Sequence, residues 1–199
     1  METTRDRFNK VMHWQKPERA PLMDFGYWDE TIDIWHQQGL PENITTGAEV
    51  EVHLGLEGTE RIPTLPVING LHPAAEPKVL EEKGSHRIIQ DHEGNICEIP
   101  TEGASIPKFI KYAIETREDW EAFKARHLDY LRPDRIGSCK QVVEDAHAAG
   151  MPVRLISGSL YGWLRNWMGV ENFSIAVLTD KAWVEEMMEH LTRMSLHLI

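Results

Sequence analysis

The chain has 199 residues, enough for one well-filled domain or two small ones, and its 41% hydrophobic and 27% charged content excludes wholesale disorder. Lys+Arg 21 against Asp+Glu 32 gives a net charge of −11, which repels nucleic-acid phosphates and anionic membrane surfaces. No apolar run is long enough to span a membrane, and the opening METTRDRFNK lacks the apolar stretch of a signal peptide. Cys97 and Cys139 form neither a metal-ligand spacing nor a disulfide framework; they read as free thiols of a cytoplasmic protein.

The first predicted element is a helix. Thr3-x-x-Asp6 reads as a capping box, Phe8, Val11 and Met12 share a face, and Pro17 ends it. Residues 20–25 form a short apolar run closed by Gly26, a candidate buried strand. Asp29 caps a second helix carrying Ile32 and Trp35 and stopped by Gly39 and Pro41; Thr46-x-x-Glu49 opens a weaker one to about Leu56. The proline-rich stretch 61–77 reads as extended. Three β-like runs follow at 78–82, 86–91 and 95–99, with turns at Gly84 and Gly94, which predicts a small antiparallel meander.

The second half reads as helical with one strand. Thr116-x-x-Asp119 caps a helix bearing Trp120, Phe123 and Leu128, and another spans 136–149 with Val142, Val143, Ala146 and Ala149 inward and Gly150 at its end. Residues 152–156 form a compact apolar strand opening into Ser157-Gly158-Ser159. Helices follow at 161–168 and 171–178, and Asp180 caps a last one with Val184, Met187, Met188, Leu191, Met194 and Leu198 in phase. Helix, glycine turn, short strand and helix again is the grammar of a parallel α/β sheet. The last helix is still in phase at Leu198-Ile199 with no cap, as expected of a chain cut within its fold.

Parallel α/β folds bind ligands beyond the carboxyl ends of their strands. That rule selects the loop of Asp24, Tyr27 and Trp28, and the segment carrying Ser157, Ser159, Tyr161 and Arg165. Structural roles stand beside the functional ones. Asp24 at the end of an apolar strand serves either a substrate or a salt bridge, Asp29 serves as a cap, and Arg165 meets an anionic substrate or pairs with Glu171. Trp163 and Trp167 at helical spacing read as core. No G-x-S-x-G elbow, G-x-G-x-x-G loop or Walker A pattern is present, and ten histidines give no H-x-x-x-H or H-x-H pair.

Thr4-Arg5-Asp6-Arg7-Phe8-x-x-Val11-Met12, then Pro17-x-Arg19-x-Pro21, resembles the opening of the uroporphyrinogen decarboxylase superfamily, which includes corrinoid-dependent methyltransferases. Further likeness runs through Glu81-Glu82-x-Gly84, Asp91-x-x-Gly94, 152–169 and Glu171-Asn172, so it covers essentially the whole chain. The resemblance implies an α/β fold, a (β/α)8 TIM barrel with the meander as an insertion. Residues 1–199 would be the N-terminal portion of one such domain. The strand-end rule, not the resemblance, makes Asp24 the catalytic candidate, with Tyr27, Trp28, Ser157, Ser159, Tyr161 and Arg165 as substrate-binding residues.

Departures from the family pattern choose the branch. The decarboxylases grip substrate carboxylates with an arginine-rich loop after the first strand; here Met23-Asp24-Phe25-Gly26-Tyr27-Trp28 has no arginine. Thr64-Leu65-Pro66-Val67-Ile68-Asn69 offers no match to the family's catalytic aspartate. The expected function is therefore methyl transfer between a corrinoid protein and a thiol or similar acceptor. The alternatives are uroporphyrinogen decarboxylation in porphyrin biosynthesis, or a non-catalytic binding domain that needs a partner. The methyltransferase branch implies a zinc-activated thiol, with ligands in a C-terminal part that lies beyond these residues, so no metal ligand is nominated. The expected partners are a small-molecule substrate or a corrinoid protein, with no nucleic acid and no membrane.

Overall fold

The computed structural model describes residues 2–24, 26–58, 61–103 and 106–199. The chain divides into two compact units, Met1–Pro66 with Ser138–Leu155, and Val67–Gly137 with Ile156–Ile199.

The first unit holds α1 (Thr4–Met12), α2 (Asp29–Gln37), α3 (Gly47–His53) and, from its later segment, a helix at Cys139–Ala148. Both capping boxes predicted here form: Thr3 Oγ1 accepts from the Asp6 N–H at 3.1 Å, and Thr46 Oγ1 from that of Glu49 at 3.3 Å. A small core gathers Ile32, Ile44 and Val50, with Tyr27, Trp35 and Leu40 against it. Away from that core, the buried Glu57 carboxylate receives Arg7 and, at 2.8 Å, Arg19. Its backbone N–H also donates to the Leu22 carbonyl at 2.7 Å. Arg7 and Arg19 belong to the opening motif of the sequence, so two of its basic residues converge on one carboxylate.

The second unit begins with β1 (Lys78–Lys83), β2 (His86–Gln90), β3 (Ile96–Pro100) and β4 (Lys108–Lys111), an antiparallel sheet in the order β1-β2-β3-β4. Its first three strands are the predicted meander. Gly84 and Gly94 take φ of +61° and +88° at the turns, where a side chain would be strained. The short Lys-Phe-Ile-Lys strand β4 carries too little alternation to announce itself. Then come α4 (Arg117–His127), a 3-10 turn (Pro133–Arg135), α5 (the Cys139–Ala148 helix already met in the first unit), α6 (Leu160–Met168), α7 (Val170–Thr179) and α8 (Lys181–Leu198). Thr116 and Asp119 form the predicted capping box of α4, and Asp180 caps α8. Trp120, Phe123, Leu164, Trp167, Met187 and Leu191 are central to the main core.

One buried cation organises the start of this unit. Arg135 is completely buried, and among the described residues no carboxylate is bonded to its guanidinium. It donates instead to the carbonyls of Asp129 (2.7 Å), Ile68 (2.8 Å), Gly70 (2.8 Å), His127 (2.6 Å) and, at 3.4 Å, His72. Neighbouring Asp134 takes the Arg132 guanidinium and His72 Nε2, both at 2.9 Å, and this pairing holds its carboxyl well below the usual carboxylate range.

The expected (β/α)8 barrel is not the architecture. The described residues form a single open four-stranded antiparallel sheet with eight α-helices and no closed barrel. The two candidate parallel strands fail for physical reasons. Of 20–25, residues 20–24 are irregular and Leu22 and Met23 are exposed, while Phe25 lies outside the described residues. The run 152–156 contributes one residue, Arg154, to an isolated parallel bridge with Thr64. Parallel strands depend on burial of both faces, and these segments lack it. Among the described residues no helix is long and apolar enough to cross a membrane.

Replacing Arg135 by Leu is expected to cost about 4 kcal/mol, because five carbonyls lose their donor in a dry site. Arg135→Lys, with three donors on a flexible stem, recovers about half of that. Urea unfolding read by circular dichroism measures both; equal losses for the two variants would contradict the carbonyl-cage account.

Candidate functional site

The residues singled out from the sequence fall in the two units. In the first unit Asp24 is exposed rather than buried at a strand end, so the burial argument for its role no longer applies. Gly26 turns the chain at φ +119°. Tyr27 then packs edge-on against Trp35, ring centroids 5.1 Å apart, which commits its ring to the small core. Trp28 occupies the N-cap position of α2 and leaves 59% of its surface exposed. Asp29 is the first helical residue and not the cap; its carboxylate there complements the helix dipole.

In the second unit Ser157, Gly158 and Ser159 are exposed and lead into α6. Ser159 caps that helix, its hydroxyl accepting the Gly162 N–H at 2.8 Å. Gly158 sits at φ +74° with the Trp163 indole pressed over it, so close that an added Cβ would lie 1.8 Å from the ring. Trp163 in turn stacks on Trp167 with centroids 5.8 Å apart, as the core reading of both expected. Tyr161 and Arg165, one turn apart, are both exposed. Arg165 donates to Asn166 Oδ1 at 2.8 Å and forms no ion pair with Glu171 among the described residues.

Sequence reasoning passed over Asn69. It is 6% exposed, and its Nδ2 donates to the Ser157 carbonyl at 2.7 Å and lies 3.5 Å from Ser195 Oγ on α8. Its Oδ1 is buried and has no hydrogen-bond partner among the described residues. An orphan acceptor directly behind an exposed Ser-Gly-Ser loop is an anchor for that loop, with bonding capacity to spare. The available signal was a polar residue closing the apolar pair Val67-Ile68, in the very stretch read only for a missing aspartate.

Glu93, in the β2–β3 turn, is the other unanticipated group. Burial pushes its carboxyl above the usual range, against the opposing pull of His92 and the Asn166 side chain on α6. No cluster of three or more His, Cys, Asp or Glu side chains is placed to hold a metal among the described residues. Cys97 is buried and its thiol is pushed up by that burial, the reverse of what a zinc thiolate needs. Cys97 and the other described residues do not form a zinc site, and no chemical step is assigned to one. Comparison of the chain with known protein families, curated proteins and solved structures finds no match.

Gly158→Ala is expected to cost more than about 1 kcal/mol and to turn the Trp163 indole, since both φ and the missing space resist a Cβ. An unchanged near-ultraviolet circular dichroism spectrum and urea midpoint would contradict this packing. Glu93 gives a pH test. Its folded pKa is raised, so its stabilising share is full below the unfolded value near 4.5 and is lost as pH rises through the folded value. Glu93→Gln should therefore gain stability relative to the parent between pH 4 and 7; a difference independent of pH would refute it.

Proposed function

We propose that this chain serves methyl transfer of the corrinoid-dependent kind found in the uroporphyrinogen decarboxylase superfamily. Its own residues would bind and orient the methyl-bearing substrate. The proposal concerns chemistry and the motif residues, not the barrel architecture.

The observation that carries it is the character of the first loop. A polycarboxylate tetrapyrrole needs guanidinium partners, and the exposed side chains offered here are the Asp24 carboxylate and the Trp28 indole. The nearby basic residues Arg7 and Arg19 are spent on Glu57. An indole face with 59% of its surface open suits a large, flat, weakly charged ring system. The −11 charge of the chain acts in the same direction, against a polyanionic substrate.

In the second unit, the exposed Tyr161 hydroxyl and Arg165 guanidinium supply donors along one face of α6. Within that unit they are donors suited to the polar end of a small ligand, and Asn69 holds the Ser157 loop from behind. Asp24 places an exposed carboxylate on the first loop. It would not act as a carboxylate-binding group.

Isothermal titration calorimetry with methylcobalamin as the corrinoid probe and uroporphyrin as the polycarboxylate probe tests the reading. Saturable binding of methylcobalamin is expected, weakened about tenfold (~1.4 kcal/mol) in Trp28→Ala, with no uroporphyrin binding. Uroporphyrin binding without methylcobalamin binding would reverse the assignment.

A further inference from the structure

In the second unit the turn between β2 and β3 is fixed against the end of α6 without help from its own glutamate. Asp91 Oδ1 accepts the N–H groups of Glu93 (2.9 Å) and Asn95 (2.8 Å), and its Oδ2 accepts Asn95 Nδ2 at 3.1 Å. Asn95 is completely buried, and its Oδ1 takes the Ala113 N–H at 3.0 Å. The next residue, Ile114, donates its N–H to the Trp167 carbonyl on α6 at 3.0 Å. None of these bonds uses the Glu93 carboxyl, so the turn keeps its place whether that carboxyl is charged or neutral.

The Glu93 side chain spans this joint, and the Asn166 amide on α6 donates to its carboxyl. That amide has one acceptor end and one donor end, and the acceptor end is taken: Arg165 Nε and Nη2 both bond to Oδ1, at 3.2 and 2.8 Å. Nδ2 is therefore the end that meets Glu93. The bond from Arg165 to Asn166 is unusual, because residues one apart on a helix do not face each other. Arg165 is exposed, yet its guanidinium folds back onto its neighbour. A carboxylate on the far side of the amide explains that direction, since it polarises the amide oxygen and attracts the cation. The charged groups of the turn itself are His92, which attracts the Glu93 carboxylate, and Asp91, which repels it. The segments packed on the turn, at Ala75 and Ala113, bring no charge.

We propose that Glu93, Asn166 and Arg165 form a proton-controlled latch. With Glu93 ionised, its charge acts through the Asn166 amide and holds the Arg165 guanidinium against α6. With Glu93 protonated, the amide loses that polarisation. The guanidinium is then released to the outer face of α6, one turn from Tyr161, where an anionic group can take it. Burial of the carboxyl raises the pH at which it ionises and so brings the release towards neutral pH. The property under control is the availability of Arg165 to an anion, greater in mild acid and smaller once Glu93 is charged. The latch does not rest on the methyl-transfer reading, and its test reads the guanidinium rather than an activity.

The test follows the Arg165 15Nε resonance of the labelled full chain from mildly acidic to mildly basic pH. Detection through the attached carbon keeps solvent exchange from removing the signal, and Arg165→Lys identifies the peak by its loss. The expected result is a single-step shift with its midpoint above 4.5, the ordinary glutamate value. Glu93→Gln, permanently uncharged, should abolish the shift and hold the peak at its acid-form position. Asn166→Ala should remove most of the shift while the Glu93 side-chain carboxyl carbon still titrates. His92→Gln, which removes the other titrating group that attracts Glu93, should leave the shift in place. A peak that does not move, a shift that survives Glu93→Gln or Asn166→Ala undiminished, or one that vanishes in His92→Gln overturns the proposal.

Discussion

A guanidinium holds its charge at any pH a folded protein meets, so burying one obliges the chain to surround it with acceptors. Arg135 meets this demand with main-chain carbonyls alone, drawn from 68–72 and from 127–129. The consequence is conformational. Carbonyls from two separate stretches must converge on one plane, which fixes the path of the otherwise irregular segment that leads into the sheet. Asn69 lies within that segment, between two of the residues whose carbonyls Arg135 holds, and its amide reaches the Ser157 loop. The position of the loop ahead of α6 thus depends, through Asn69, on a cation that touches nothing at the surface.

The first unit uses the same physics with the signs reversed. Glu57 is a buried carboxylate, and Arg7 and Arg19 converge on it from the opening segment of the chain. A buried charge without partners is untenable, whereas one with two guanidinium groups is tolerated and fixes geometry. This gives the Arg7 and Arg19 of the N-terminal motif a structural occupation. It also removes them from the list of groups free to grip a carboxylate substrate, which is why the charge argument and the loop composition point to the same class of ligand.

Local signals were legible wherever a side chain answers its own backbone. Thr3, Thr46 and Thr116 start their helices because hydroxyl and carboxylate three residues apart satisfy the free N–H groups, a rule needing no tertiary information. The meander could be read for a similar reason, from alternation and two glycine turns. The parallel sheet expected from the sequence does not form among the described residues. An apolar run such as 152–156 becomes a strand only if partners bury both of its faces, and sequence periodicity does not report partners. Arg135 and Asn69 were illegible on the same ground, since nothing adjacent to them in sequence says that they will be enclosed. Trp163 and Trp167 were correctly placed in the core by spacing, but the pressure of Trp163 on Gly158 is a tertiary fact.

The dependence of the Ser157 loop on Arg135 is the central claim, and the guanidinium itself reports on it. In a 1H–15N spectrum of the labelled chain, an Nε–H bonded to the Asp129 carbonyl at 2.7 Å in a fully buried cage should give a sharp, separate resonance. Its exchange with solvent should require global unfolding, as for the most protected core amides. An Arg135 Nε–H that exchanges as fast as those of the exposed arginines would contradict the account.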